Sequence, residues 1–580
     1  MLEKTILKKL IDVAAGRKPA DLVLKNARIV NVMTHRLMDG DVAISDGLIA
    51  GIANHYEGQK TIDLDHHFLV PGLIDAHIHI ESAYVSPEEF SRLFVPRGST
   101  TISTDPHEIV NVAGLIGLDY MQKAAKQAAM DIHFMMPPCV PSTPFENAGA
   151  HLTAKDIQPR LEENQVDGLA ELMNYVGVVN NDNTMLDEIL AAKATGHRID
   201  GHAPELMGKA LNAYAAAGAV SDHECMTVEE AQTRLDAGMY LMLREGTTEH
   251  NLVDLLPVVN PANARRCLLV GDDIQTKTVL SIGHLDHSIR LAIANGLDPI
   301  TAIQMATLNA AEYCGLTDRG AITPGRRADL VVVDNLQHFK VEQVLIKGQV
   351  VAKNNQYLPS VNRVAINSVA NTMAVKPFTT DQLKLNLSGK PVRAIQVLPG
   401  QVATGEKHLQ PTLNVDHDFK FDPHQDLVKM AVVERHHQTG NLAVALLADY
   451  GLKHGAIASS IAHDSHNIIV AGVNNEEMKA AVEALISQGG GAVVVNDGQV
   501  QAQFALPIGG LMSDQPGEVV VKAQTHFDQV AHDVLGIPAN IDPLMTLSFM
   551  SLAVIPKLKL TDEGLFDVAK MKFVSLELED

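Results

Sequence analysis

Pro71-Gly-Leu-Ile-Asp-Ala-His-Ile-His-Ile-Glu-Ser82 follows directly on Phe68-Leu-Val70. The apolar run from 68 to 74 reads as a buried strand that ends in two imidazoles two positions apart. In an extended chain, residues i and i+2 point to the same side, so His77 and His79 are presented together at the C-terminal end of the strand. A buried imidazole needs a partner for each ring nitrogen. Two of them side by side suit one metal ion better than they suit a core.

Working outward from this stretch, short apolar runs alternate with helical stretches from 68 to 273, the signature of βαβ units. Eight strands are predicted, at 68–80, 99–105, 131–139, 166–173, 198–204, 219–226, 240–246 and 267–273. Helical stretches such as 115–128 and 206–217 separate them. Eight such units predict an α/β fold of the (β/α)₈ TIM-like barrel type, with its chemistry at the C-terminal strand ends.

The polar residues meet that demand. Strand 4 carries Glu171 within Gly168-Leu-Ala-Glu-Leu-Met173, strand 5 ends in His202, strand 6 in His223 and strand 8 in Asp272. A lone histidine at a strand end is usually a hydrogen-bonded structural residue. A carboxylate inside an apolar strand is costly unless paired or metal-bound. Six such groups at one rim predict a site for two divalent ions. In this reading His77, His79 and Asp272 hold one ion, His202 and His223 hold the other, and Glu171 bridges them. Nitrogen and oxygen donors without thiolate suit Mn, Fe or Zn. A metal pair of this kind lowers the pKa of a shared water, and Asp272 is placed to shuttle a proton. The residues therefore point to metal-dependent hydrolysis of a C–N bond or a similarly activated centre.

The flanks extend the picture. Residues 1–18 read as a short amphipathic helix, and β-type runs at 20–30, 41–45 and 48–52 read as a small sheet. Further β-type runs at 330–334 and 344–351 return to it. This predicts a discontinuous, β-sandwich-like domain of residues 1–66 plus 320–370 around a barrel of 67–319. A linker is placed at 370–385, and 386–580 is read as a C-terminal α+β domain. That domain holds Glu434-Arg-His-His437 and His463-Asp-Ser-His466, where loop capping is weighed above a third metal. It is expected to cover the barrel mouth, or that of a neighbouring subunit, with 463–466 on the facing loop.

The chain has 580 residues, is 46% hydrophobic and carries a net charge of -23. That length calls for more than one core, and that charge argues against a nucleic-acid partner. The four cysteines are far apart, and no run is apolar and long enough to span a membrane. A signal peptide is not expected from so polar an N-terminus, so a reduced, cytoplasmic protein is.

The metal-ligand pattern, together with Thr104-Asp-Pro-His-Glu108, Pro141-Ser-Thr-Pro-Phe-Glu146, Ser221–Thr227, Met242-Leu-Arg-Glu-Gly246, Asp318–Leu330, Ile461-Ala-His-Asp-Ser-His-Asn467 and Asp542–Met550, resembles the bacterial adenine deaminases of the amidohydrolase superfamily. The resemblance runs over nearly the whole chain. It implies hydrolysis of adenine to hypoxanthine and ammonia in purine salvage, with manganese or iron as the metals. It implies a small-molecule substrate, no nucleic-acid or membrane partner, and a homo-oligomer. Asp272, Glu171 and Glu81 are the candidate catalytic residues, and Glu81, His107 and Arg244 the candidate substrate contacts. Glu108 and Glu245, also charged and at strand ends, read equally well as rim ion pairs, and Cys225 reads as packing. The sequence departs from the family at Ile274–Thr278 and at Glu205, both placed on loops that could shape the pocket. The alternatives are another amidohydrolase acting on a cyclic amide or aminated heterocycle, and a barrel-derived scaffold without activity.

Overall fold

A computed structural model describes residues 3–578; residues 1 and 2 of the predicted N-terminal helix and the last two of the predicted C-terminal domain lie outside them. The N-terminal helix spans Lys4–Ala14. Five strands follow: β1 (Ala20–Asn31), β2 (Arg36–Ser45), β3 (Leu48–Ala53), β4 (Gly58–Asp63) and β5 (Phe68–Pro71). The next eight are β6 (Leu73–Ile78), β7 (Ser99–Thr104), β8 (Asp131–Phe134), β9 (Gly168–Leu172), β10 (Arg198–Gly201), β11 (Ser221–Asp222), β12 (Tyr240–Arg244) and β13 (Cys267–Val270).

These eight run parallel in a ring. β6 pairs with β7 and β7 with β8, and Met136 bridges in parallel to Leu169 of β9. β9 pairs with β10, the Val220 N–H donates to the Ile199 carbonyl at 3.0 Å, and β11, β12 and β13 pair in turn. A parallel bridge between Ile78 and Asp272 closes the circle. The result is a TIM-barrel-type fold, and each barrel strand lies inside its predicted span. β11 keeps only two residues of the predicted 219–226, because the chain turns away at His223 to form the rim.

Two predicted runs are broken. Residues 68–80 are not one strand: β5 belongs to a separate sheet, and the chain enters the barrel through Gly72. A side chain at Gly72 would place its first carbon 2.3 Å from Thr100 Oγ1, so only glycine permits the crossing. The run 344–351 is likewise two strands. After β14 (Leu330–Val333) come β15 (Val341–Ile346) and β16 (Gln349–Lys353), joined by Lys347 and Gly348 at φ 50° and 73° in a tight two-residue turn, then β17 (Gln356–Tyr357). β14–β17 join β1–β5 in one nine-stranded sheet.

The C-terminal region is built on an eight-stranded sheet. Its strands are β18 (Val392–Val397), β19 (Thr404–Leu409), β20 (Leu427–Val433), β21 (Leu442–Ala448), β22 (Ala456–Ser459), β23 (Ile468–Gly472), β24 (Gly491–Asn496) and β25 (Gln499–Ala505), in spatial order 19-18-21-20-23-22-24-25. Helix Asn475–Gln488 packs on this sheet through Met478, Ala481, Val482 and Leu485. The stretch read as a linker is not free, since Leu383 is fully buried in that same core. The largest apolar cluster is continuous from the barrel into this region, running from Phe90 and Leu169 to Phe504 and Met545. Burial on that scale ties the two together far more strongly than a linker does.

Candidate active site

The ring geometry turns the ends of β6, β9, β10, β11 and β13 toward one point. His77 and His79 are each 3% exposed. His79 Nδ1 lies 3.0 Å from the Asp105 carbonyl. A carbonyl only accepts, so Nδ1 carries the proton and Nε2 presents its lone pair. That Nε2 is 3.2 Å from Asp272 Oδ1 and 3.4 Å from Glu171 Oε1. His77 Nε2 is 3.5 Å from Asp272 Oδ1, and its ring stacks on His223 with centroids 4.1 Å apart.

Glu171 faces in two directions. Its Oε2 is 2.9 Å from His202 Nδ1 and 3.2 Å from His223 Nε2, while Oε1 takes His79 and, at 3.5 Å, His107 Nδ1. Asp272 adopts φ 53°, a left-handed conformation that aspartate tolerates better than most residues. There its N–H donates to the His77 carbonyl at 3.1 Å and its own carbonyl accepts from His79 at 3.4 Å. The backbone that closes the barrel thus also sets the positions of His77, His79 and Asp272.

The donor set fits divalent metal. His77, His79 and Glu171 bring ligand atoms within 4.8 Å of one another, as do Glu171, His202 and His223, and His77, His223 and Asp272. His77 Nε2 and His202 Nε2 are buried with no hydrogen-bond partner among the described residues, a cost that a cation removes. Burial opposes charge on Glu171 and Asp272, yet the histidines hold both well below the usual carboxylate range. Burial likewise opposes charge on His79 and His223, but the carboxylates raise both well above an ordinary imidazole.

The other predicted residues are distributed around this centre. Glu81 Oε1 accepts from the Ile109 N–H at 3.2 Å, Oε2 has no partner, and burial, with Glu108 next, pushes the carboxyl up to about 7. His107 lies beside Glu171, with its ring 4.8 Å from that of His79. The Arg244 guanidinium is engaged by three carboxylates, Asp272 at 2.7 Å, Glu224 at 2.6 Å and Glu249 at 2.8 Å. Glu224 was not singled out from the sequence. It sits 3.3 Å from His223 Nε2 and 3.7 Å from His202 Nδ1, and only its place directly after His223 could have signalled it. Glu245 pairs with His250 at 2.8 Å, a rim ion pair. Cys225 is buried with its thiol 3.8 Å from Asp222, a packing role.

The C-terminal region lies against this rim. His463 Nδ1 is 3.1 Å from Glu108 Oε1, Asp464 Oδ1 is 3.7 Å from His107 Nε2, and Asn467 Nδ2 donates to the Asn147 carbonyl at 2.7 Å. The 434–437 cluster is different. The Glu434 carboxylate accepts backbone N–H groups from His436, His437 and Thr439, and the rings bond the Ser465 and Ala148 carbonyls at 2.7 and 2.8 Å. It is a loop cap. The departing stretch 274–278 faces the helix Gly517–Asp533, through Gln275 with Gln524 at 2.6 Å and Lys277 with Asp528 at 3.0 Å. Glu205 is exposed.

Residues 68–351 match the amidohydrolase family, and residues 401–572 match the adenine deaminase C-terminal domain. The chain is 58% identical over 578 residues to an adenine deaminase of Ligilactobacillus salivarius (strain UCC118), covering 100% of both chains. It is 52% identical to adenine deaminase 2 of Desulfotalea psychrophila (strain LSv54 / DSM 12343), covering 99% of this chain and 100% of the relative. Among solved structures, an enamidase of the amidohydrolase superfamily aligns with 59% of this chain and 98% of its own at 18% identity and a TM-score of 0.44. Among the described residues, no helix is long and apolar enough to cross a membrane.

Proposed function

The chain belongs to the adenine deaminase family of the amidohydrolases, and on that premise we propose how its residues convert adenine and water to hypoxanthine and ammonia. The observation that carries the reading is Glu171, whose two oxygens face imidazoles from different strands at 2.9–3.5 Å. His77, His79 and Asp272 would hold one divalent ion, His202 and His223 the other, and Glu171 both. The donor set suits manganese, iron or zinc, and the family resemblance favours manganese or iron. Bound there, such ions lower the pKa of a water and polarise the carbon it attacks.

The remaining work falls to side chains. Asp272 takes the proton from the attacking water and delivers it to the departing amine. Arg244, donating to Asp272 Oδ2, fixes the orientation of that carboxylate. Glu81, with its carboxyl pushed up to about 7, holds a proton near neutrality and can donate it from its unpartnered side to a ring nitrogen. His107 lines the same chamber and contacts the substrate. Burial of all these groups excludes water and strengthens each polar contact.

The same reading divides the chain into the discontinuous sheet domain of 1–66 plus 320–370, the barrel of 67–319 and a C-terminal domain of 386–580. It places the protein in the cytoplasm, in keeping with its four free cysteines, as a homo-oligomer. The test is turnover by metal-loaded protein across aminated purines, aminated pyrimidines and cyclic amides, followed by ammonia release and by ultraviolet absorbance. Adenine is expected to have the highest kcat/KM. A cyclic amide or another aminated ring outrunning it would favour the alternative amidohydrolase reading.

A further inference from the structure

The wall facing the metal ligands is not made by the barrel alone. Asp464, from the loop between β22 and β23, is 2% exposed, and its Oδ2 has no hydrogen-bond partner. Its Oδ1 lies 3.7 Å from His107 Nε2 and 3.9 Å from His463 Nδ1. The other nitrogen of His107 is 3.5 Å from Glu171 Oε1, so a single imidazole separates Asp464 from the bridging carboxylate. On the barrel side, Glu81 Oε2 and both Asp105 oxygens are also buried and, among the described residues, unpartnered.

The loop is held in place from behind. Arg435, itself fully buried, donates Nε–H to the His466 carbonyl and an Nη2–H to the Gly509 carbonyl at 3.0 Å. The Arg435 N–H bonds Asn467 Oδ1 at 3.2 Å, and the His466 N–H closes a turn onto the Ala462 carbonyl at 2.8 Å. A carboxylate oxygen fixed this way, buried and lacking a donor, costs free energy until a donor arrives. Among the described residues none supplies one.

A purine offers that donor. When the carbon bearing the exocyclic amine sits at the metal ligands, the five-membered ring points away from them and carries an N–H. We propose that Asp464 is a substrate-binding residue that accepts this N–H, so that the C-terminal region selects the free base over purines substituted on that nitrogen. The assignment rests on the adenine reading above. It adds a specificity contact from the C-terminal region, at the end of the substrate opposite the proposed metal ligands.

The experiment uses full-length, metal-loaded wild type, Asp464→Asn and Asp464→Ala, each assayed with adenine and with 9-methyladenine. Binding of purine and 9-methylpurine, which carry no amine to lose, is measured by calorimetry. Asp464→Ala is expected to lower kcat/KM for adenine and to weaken purine binding by roughly 10- to 100-fold, the range for a hydrogen bond to a charged group. It should leave the methylated compounds unchanged and the metal content at the wild-type value. Asp464→Asn, which keeps the shape of the side chain and guards against a folding defect, should fall between. An equal loss on methylated and unmethylated compounds, or no loss on either, overturns the assignment while the wild type still deaminates adenine. A wild type that leaves adenine untouched overturns the adenine reading itself.

Discussion

The barrel rim and the Glu434–His437 loop each gather histidines around a buried glutamate, and they do opposite things. At the rim, among the described residues, Glu171 meets four imidazoles and no backbone donor, while His77 and His202 keep ring nitrogens without partners. In the loop, Glu434 accepts three backbone N–H groups, and His436 and His437 give ring N–H groups to carbonyls. Residue type does not separate the two regions. What separates them is where the second nitrogen and the second oxygen go, because a group already satisfied by backbone has nothing left for a cation or a substrate. Helix Asn183–Thr195 adds a third case in Glu188, which is fully buried with neither oxygen bonded.

The largest effect is expected at Glu171. An amide bridges two cations poorly, so Glu171→Gln should lose several orders of magnitude in kcat and drop the metal content below two per chain, read by elemental analysis. Full metal and full rate in that variant would erase the distinction between rim and loop. Next comes Asp272→Asn, expected to lower kcat by about 10²–10⁴ with the circular dichroism spectrum intact. Asp273→Asn should be mild by comparison; the reverse order would move the proton-transfer role one residue along.

A smaller and different signature is expected in the loop. Glu434→Gln should cost about 1–3 kcal/mol of stability, seen as an earlier denaturant midpoint, with metal content unchanged. Loss of metal there would make the loop a ligand site after all. The last comparison is Glu188, whose carboxyl is pushed from 4.5 up to about 9 by burial and then by Asp182. The folded chain holds that proton where the unfolded chain has released it, so stability declines as pH rises from about 4.5 to about 9. Glu188→Gln should therefore raise the thermal midpoint at pH 8 and match wild type near pH 5. An equal gain at both pH values would show that packing, not protonation, governs the site.

Local periodicity made much of this legible. The spacing of His77 and His79, the carboxylate inside the apolar run at Glu171 and the strand-end positions of His202, His223 and Asp272 all follow from alternation along single strands. Glu224 was missed because nothing local distinguishes it from any glutamate after a rim residue; it matters through Arg244, which comes from the next strand. The split at Gly72 was hidden because the apolar run crosses it unbroken. The turn at Lys347-Gly348 was hidden because lysine is not a usual residue at positive φ.

What the chain determined alone is the alternation of strand and helix and the six candidate ligands on or next to its strands, since both depend on interactions a few residues long. The pairing of Glu108 with His463, of His107 with Asp464 and of the 274–278 loop with the helix Gly517–Asp533 was decided only by the tertiary structure. Those contacts join residues hundreds of positions apart, across a core that buries the barrel mouth and the C-terminal sheet together. The hydrophobic effect that assembles such a core is non-directional, so no short pattern encodes which loops it brings face to face.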